Sequence, residues 1–376
     1  MDNTTMESKT MILTKRIQLV IDCDDKEQRD SYYQKLYAWQ RICYQAANIA
    51  FSHLFVQDRI KDFFYLTEEV RYKLADQGKD ETGMLNTSRM NTVYTVLSQK
   101  FKGDIPMHII SCLNISLAKY YNNEKNDYYL GEKSLRNYKK DIPMPFPTVD
   151  IRQFKRCEQR REFQFNWFQI PFRTYLGRDI GDKRLCLETF LVNKSILKTS
   201  SLQIKKGKLY LLAAFVHQLQ PFGPDASIIA EAELSFEVPI VLTINRKPIE
   251  IGSKEDFYYK RMAIQAAIRR KQRAATYNRS QHGRQRRMKS IDHYKEKETN
   301  FVGRMLHLYS ARLIEACKKH NVGTLILRRV AEPAEQEDDQ VDESRGKLII
   351  RNWSYFSLTD KIKYKALKAG IELIIE

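Results

Sequence analysis

The chain has 376 residues, 43% of them hydrophobic and 29% charged, with 64 lysines and arginines against 46 acids and a formal net charge of +18. A balance this basic favours a polyanionic partner, through phosphate neutralisation and counterion release, while the apolar content excludes a disordered chain and allows two or three domains with ordinary cores. No apolar run approaches the roughly 20 residues of a spanning helix, and the opening MDNTTMESKT has no apolar signal core, so a cytoplasmic, nucleoid-associated protein with no membrane partner is expected.

Met11–Asp22 alternates and is rich in β-branched residues, which predicts a strand that must find its partners later in the chain. From Lys26 the pattern turns helical, with Leu36, Trp39, Cys43, Ala46 and Ala50 on one face at spacings of three and four. Further helical segments are predicted over Thr67–Gln77, Arg89–Lys100 and Met107–Tyr121, connected by the polar DQGKDETG and by Asn122–Asn126. The run Ile142-Pro143-Met144-Pro145-Phe146-Pro147 cannot continue a helix and marks a boundary. Beyond it, Ser201–Lys205 and Lys208–Val216 read as a hairpin turning at Gly207. With the N-terminal strand they predict a β-barrel of about six or seven strands, interrupted by the helical lobe.

Pro221-Phe222-Gly223-Pro224 reads as a linker. Strands are predicted next over Ile228–Leu234 and Pro239–Asn245, then a helix from Lys254 to near Arg270. A long helix starts near Lys289, its buried face marked by Phe301, Met305, Leu308 and Ala311. Strand Gly323–Val330, helix Leu358–Lys368 and strand Ile371–Ile375 complete an α/β unit of RNase H-like character. The expected division is thus 1–25 for the first strand of the barrel, 26–140 for the helical lobe, 141–225 for the rest of the barrel and 226–376 for the α/β domain. Six scattered cysteines without a CxxC pair, and seven histidines without metal-ligand spacing, predict neither zinc nor a disulfide framework; most of the cysteines should be small buried hydrophobes.

Between Phe257 and Ser290 stand eleven cations and no acid: Lys260, Arg261, Arg269, Arg270, Lys271, Arg273, Arg279, Arg284, Arg286, Arg287 and Lys289. With His282 in the turn and Tyr277 among them, these are candidates for contact with a phosphate backbone. The stretch QHGRQRRMKSIDHYKEKETNFVGRMLHLYSARLIEACKKHNVGTLILRRV from Gln281 to Val330, with WSYFSLTDKIKYKALKAGIELII from Trp353, resembles the RuvC-type half of the miniature type V (V-F-like) CRISPR effectors and related transposon-encoded RNA-guided nucleases. The resemblance implies a multidomain α+β protein: a wedge β-barrel with an inserted α-helical recognition lobe, then a degenerate RNase H-like (RuvC) domain lacking its C-terminal zinc-ribbon segment. It also implies that a guide RNA–DNA heteroduplex runs past the basic stretch, read by its backbone and A-form shape.

RuvC-type sites use acidic side chains to hold two divalent ions about 4 Å apart. Laid on the family's opening motif, Glu231-Ala232-Glu233-Leu234-Ser235-Phe236-Glu237-Val238-Pro239 puts Glu233 in place of the first aspartate and Ser235 on a glycine, although a shifted register would make Glu231 or Glu237 the ligand. In the strand Gly323–Leu327 the next residue is Arg328, where the resemblance places a metal-binding glutamate, and the last acid of the family would lie past Glu376. Exchange of −1 for +1 where ions of charge +2 must sit predicts a nuclease-dead protein that takes no catalytic magnesium. The resemblance implies a guide RNA as the one requirement, and the missing ribbon segment, with the cysteine spacing, implies no zinc. If Glu233 and Arg328 lie on neighbouring strands they are expected to pair and fill the vacated site.

Gly131–Lys140 resembles the family's S-L-x-x-Y-K stretch, which implies groove contacts beside the target for Ser134 and Tyr138, and phosphate contacts for Arg136, Lys139 and Lys140. Ala331–Ser344 carries seven acids and no base, the composition of a solvated loop or of one that docks a basic protein partner or shields the dead site from nucleic acid. The expected function is guide RNA-directed, non-cleaving binding of double-stranded DNA that regulates transcription, by recruiting a sigma factor and RNA polymerase or by blocking a promoter, with a homodimer as a further expectation. The alternatives are an RNA-guided nuclease with an atypical metal site, a target selector for transposition, and a nucleic-acid-binding module without a guide.

Overall fold

The computed structural model describes residues 10–64, 89–157, 162–177, 182–218, 223–234, 238–277, 284–328 and 355–376. They fall into two compact units, Thr10–His217 and Gln218–Glu376. The predicted helix Thr67–Gln77, the loop DQGKDETG and the acidic run Ala331–Ser344 lie outside the described residues.

In the first unit the alternating N-terminal stretch forms β1 (Thr10–Ile21), with Ile17, Leu19 and Ile21 buried. Asp25 then accepts from the backbone N–H groups of Glu27 and Gln28 and caps α1 (Lys26–Phe64), on which Leu36, Trp39, Cys43, Ala46 and Ala50 are all buried as their spacing requires. Helices α2 (Arg89–Phe101) and α3 (Met107–Tyr129) follow. Asn122–Asn126 is not a connection but part of α3: Tyr121 and Tyr128 on either side both pack against Phe51 of α1, and that burial outweighs the local preference of a polar run for a turn.

The remaining strands of this unit are β2 (Met144–Phe146), β3 (Ile151–Arg156), β4 (Phe163–Trp167), β5 (Ile170–Tyr175), β6 (Ile196–Leu197), β7 (Ser200–Lys205) and β8 (Lys208–Gln218), with α4 (Asp182–Leu191) between β5 and β6. Among the described residues the sheet has eight strands, more than the six or seven expected, in the order β2-β7-β8-β1-β5-β4-β3 with β6 on β8. β1 therefore sits in its interior, between strands that lie beyond all three helices in sequence. Trp167, fully buried, meets Trp39 of α1 edge-on at 5.7 Å and Phe146 at 5.1 Å, joining helices and sheet in one core.

The second unit is built on β9 (Asp225–Glu233), β10 (Ile240–Ile244), β11 (Lys247–Ile251), β12 (Val322–Arg328) and β13 (Glu372–Ile375), in the order β11-β10-β9-β12-β13. β9, β10 and β11 are antiparallel, whereas β12 runs parallel to β9 and β13 parallel to β12. Strand β11 goes beyond the elements that the sequence pattern predicts; it is an edge strand, where the missing N–H of Pro248 costs no ladder bond, and it follows a two-residue turn with Asn245 and Arg246 both at positive φ. One π-helical turn (Glu255–Tyr259) leads into α5 (Lys260–Tyr277), followed by α6 (Arg284–Lys319) and α7 (Tyr355–Ala369). α6 starts earlier than Lys289, and its buried stripe is Leu306, Tyr309, Leu313 and Cys317, displaced from the expected one: Leu308 is 39% exposed. Gly252 makes this packing possible, since at φ +91° a Cβ there would stand 2.6 Å from the ring of Tyr309.

Candidate nucleic-acid interface

Ala230 and Ala232 of β9 are buried under the helices, so Glu231 and Glu233 share the opposite face of the sheet. Arg328 ends the adjacent β12 in register with Glu233. The expected Glu233–Arg328 pair does not form. The guanidinium reaches Glu231, Nη1 to Oε2 at 3.2 Å, and its Nε lies 3.6 Å from Glu376 Oε2. An in-register neighbour on a parallel ladder is not necessarily the side chain an arginine meets, because its long stem can reach the same-face residue two positions back. Glu376 is brought there by β13, whose backbone continues the ladder with Glu376 N–H donating to the Leu327 carbonyl.

The basic stretch forms helix rather than a turn over most of its length. Arg269, Arg270, Lys271 and Arg273 are exposed on α5, and Tyr277 is 84% exposed one helical turn beyond Arg273. Ile268, by contrast, is buried, so the cations cover the outer side of an amphipathic helix. Some of the predicted phosphate-binding cations have partners within the protein. Lys260 pairs with Asp256 at 2.7 Å, and Arg261 donates to Glu298 of α6 at 3.0 Å in a largely buried pair that Gln265 joins at 2.8 Å. Arg286 and Lys289 are exposed in the first turns of α6; Arg284 and Arg287 lie on the same turns, and Arg279 and His282 fall outside the described residues.

The Gly131–Lys140 segment is a loop after α3 in which Ser134, Lys139 and Lys140 are exposed. Arg136 and Tyr138, expected to contact nucleic acid, both have partners within the unit. Arg136 forms a forked pair with Glu124, its Nε donating at 2.6 Å, and stacks over Tyr120 at 5.2 Å. The Arg136 guanidinium, with the Tyr128 hydroxyl, holds the Glu124 carboxyl down at about 2. Tyr138 turns inward: its ring packs edge-on against Phe51 at 5.5 Å, its N–H donates to the Asn48 side chain, and its hydroxyl is buried without a partner. Burial pushes that phenol up to about 12. An aromatic in a basic loop reads as a surface contact from sequence; the signal that it is an anchor, Phe51 and Asn48 about ninety residues away, is tertiary.

Further cations lie where sequence patterning does not single them out. Arg152, Lys155 and Arg156 are exposed along β3, and Arg16 of β1 stacks on Tyr210 of β8 at 3.8 Å. Cys43, Cys186 and Cys317 are buried, and burial raises the thiols of Cys43 and Cys317 to about 12; Cys23, Cys112 and Cys157 are half-buried. Among the described residues no three His, Cys, Asp or Glu side chains converge to hold a metal, and no helix is long and apolar enough to cross a membrane.

No family model matches the chain. Two curated relatives do. A CRISPR-associated endodeoxyribonuclease Cas12f1 of Syntrophomonas palmitatica is 22% identical over 392 aligned positions, covering 98% of this chain and 73% of the relative. A protein of the same name from Sulfoacidibacillus thermotolerans is 28% identical over 263 positions, covering 65% of this chain and 59% of the relative, so the match spans less than two thirds of that protein. The fold aligns with the cryo-EM structure of a Cas12f1–sgRNA–target DNA complex at a TM-score of 0.66 and 16% identity, over 97% of this chain and 88% of that one. In sequence and in fold, the chain is homologous to Cas12f1, the miniature type V CRISPR effectors.

Proposed function

We propose that this protein binds a guide RNA and, directed by it, double-stranded DNA, and that it does not cut the DNA it finds. The homologues are named endodeoxyribonucleases, and the aligned complex holds sgRNA and target DNA. In this reading residues 26–140 are a helical recognition lobe inserted after the first strand of a wedge barrel whose remainder is 141–225, and 226–376 is a degenerate RuvC-like domain. The strand order of that domain, three antiparallel strands and then two parallel ones on the far side of β9, supports an RNase H-like assignment.

One observation carries the loss of cleavage: the Arg328 guanidinium lies against Glu231 and Glu376 at the end of β12, where the resemblance puts a metal-binding carboxylate. A divalent ion there would meet a permanent positive charge already ion-paired with the carboxylates it needs, so the cluster does not fit a magnesium pair. Non-cleaving occupancy of a promoter then regulates transcription, by bringing in a sigma factor and RNA polymerase or by excluding the polymerase. The exposed cations of α5 and the first turns of α6 hold the heteroduplex backbone, and Ser134, Lys139 and Lys140 approach DNA beside the target.

The test is a supercoiled plasmid carrying a target matched to the RNA that co-purifies with the protein. Retarded, uncut plasmid in magnesium is the expected result; nicked or linear plasmid, lost on Glu231→Ala or Glu233→Ala, would establish the atypical nuclease instead. Sequencing the co-purified RNA should return one dominant structured species, and heterogeneous cellular RNA would reject a guide.

A further inference from the structure

In the first unit a cavity of about 350 Å³ opens between the β3–β4 ladder and the turn that joins β4 to β5, lined by Asp150, Arg152, Gln153, Asn166, Phe168 and Gln169. Its floor carries an anomaly. Asp150 is 6% exposed, its Oδ1 lies 2.8 Å from His108 Nδ1, and its Oδ2 is buried with no hydrogen-bond partner. A buried carboxyl oxygen left unbonded carries a desolvation cost that a ligand donor would remove. Around it stand side-chain amides from three positions, Asn166 donating to Gln153 at 2.7 Å, and the ring of Phe168 held edge-on by Trp167 at 5.0 Å and Trp39 at 5.9 Å. Three of the six lining residues have positive φ: Phe168 and Gln169, which make the two-residue turn between β4 and β5, and Gln153 within β3 at +53°.

We propose that this cavity captures one unpaired guanine of a bound RNA. A cleft with an aromatic wall suits a nucleobase. Among the four RNA bases only guanine presents two adjacent donors, N1–H and the N2 amine, to a carboxyl group, with the O6 acceptor beside them for an amide such as Asn166 or Gln169. Arg152 at the rim, with Lys155 and Arg156 exposed further along β3, is positioned for the phosphates of the strand that delivers the base. The alternative reading of the carboxyl group, as partner of a nucleophilic thiol, fails. Cys112 stands near enough to feel its charge, but burial and that charge raise the thiol, which disarms it.

This proposal rests on the RNA-binding reading above, and its test separates the two. Trp39 and Trp167 flank Phe168, so tryptophan fluorescence of protein stripped of RNA reports occupancy during titration with nine-residue oligouridylates carrying a single central guanosine, inosine or adenosine, and with 5′-GMP alone. The guanosine oligomer should bind about tenfold more tightly than the adenosine oligomer and measurably more tightly than the inosine one, which lacks the N2 amine. Asp150→Asn should abolish that preference while leaving affinity for all-uridine RNA unchanged, and Phe168→Ala should weaken every base while the far-ultraviolet circular dichroism stays native. Asn166→Ala, which leaves the His108–Asp150 contact in place, should reduce the guanosine preference even if Asp150→Asn fails to fold. Saturable 5′-GMP binding with equal affinity for all oligomers would mean that the cavity takes a free nucleotide and overturn capture from RNA. Equal binding of all oligomers with no 5′-GMP binding would overturn the pocket altogether, leaving the guide reading to the sequencing of co-purified RNA.

Discussion

Arg328 sits 3.2 Å from Glu231 and 3.6 Å from Glu376, but all three side chains are about half exposed, so the contacts contribute on the order of 1 kcal/mol or less to stability. Their weight lies in the sign of the charge. Arg328→Glu should gather four carboxylates, including Glu233, at one end of the sheet; in chelator its thermal midpoint should fall by a few degrees, and millimolar magnesium or manganese should restore it. The parent protein should show no such response, and a variant equally indifferent to the ions would mean that the carboxylates cannot converge. Tyr138 makes a second residue-level case. Its hydroxyl is buried and unpartnered, so Tyr138→Phe should be neutral or stabilising and leave DNA binding intact, whereas Tyr138→Ala should cost about 3 kcal/mol in denaturant unfolding through the cavity against Phe51. Loss of target binding in the Phe variant with stability unchanged would assign a groove contact to the hydroxyl of this side chain.

Among the elements, α3 and the loop behind it are held by Glu124, which takes Arg136 from the loop and the hydroxyl of Tyr128 from its own helix. A carboxyl whose folded value is depressed stabilises the fold above its unfolded value and loses that contribution as pH falls through the folded one. With an ordinary value of 4.5 and a folded value of about 2, the Glu124 contribution is complete above the first and disappears between them. Amide exchange of residues 131–141 should therefore accelerate as pH is lowered through that window, after correction for intrinsic rates, and Glu124→Gln should show fast exchange at every pH. Helix α5 divides its arginines between two tasks in the same way. Arg261 is used inside the unit, against Glu298, while Arg269, Arg270 and Arg273 face outward. Periodicity places Ile268 on the buried side, yet which cation turns inward depends on where α6 sets Glu298, and local pattern does not contain that.

For the whole molecule, a net charge of +18 makes nucleic-acid affinity strongly salt-dependent. Replacing Arg269, Arg270 and Arg273 by Gln should reduce the slope of log affinity against log salt by about 0.9 for each duplex phosphate that is no longer neutralised, nearly 3 in all. Arg261→Gln should lower stability, because Glu298 loses its counter-charge and keeps only the Gln265 amide, and leave that slope alone; an unchanged slope in the triple variant would remove α5 from the interface. The amino-acid sequence by itself determined the charge, the period-two and period-3.6 segments that become β1, α1 and β12, and the arginine that ends β12, because these depend on residue type and near-neighbour spacing. Tertiary structure alone decided that Arg328 meets Glu231 and Glu376 instead of Glu233, that Asn122–Asn126 stays helical, that Tyr138 points inward, and that Asp150 lies under a cleft with one oxygen unpaired. Each of these is set by contacts between segments far apart in the chain, and the burial that chooses among a side chain's possible partners exists only once those segments are packed together.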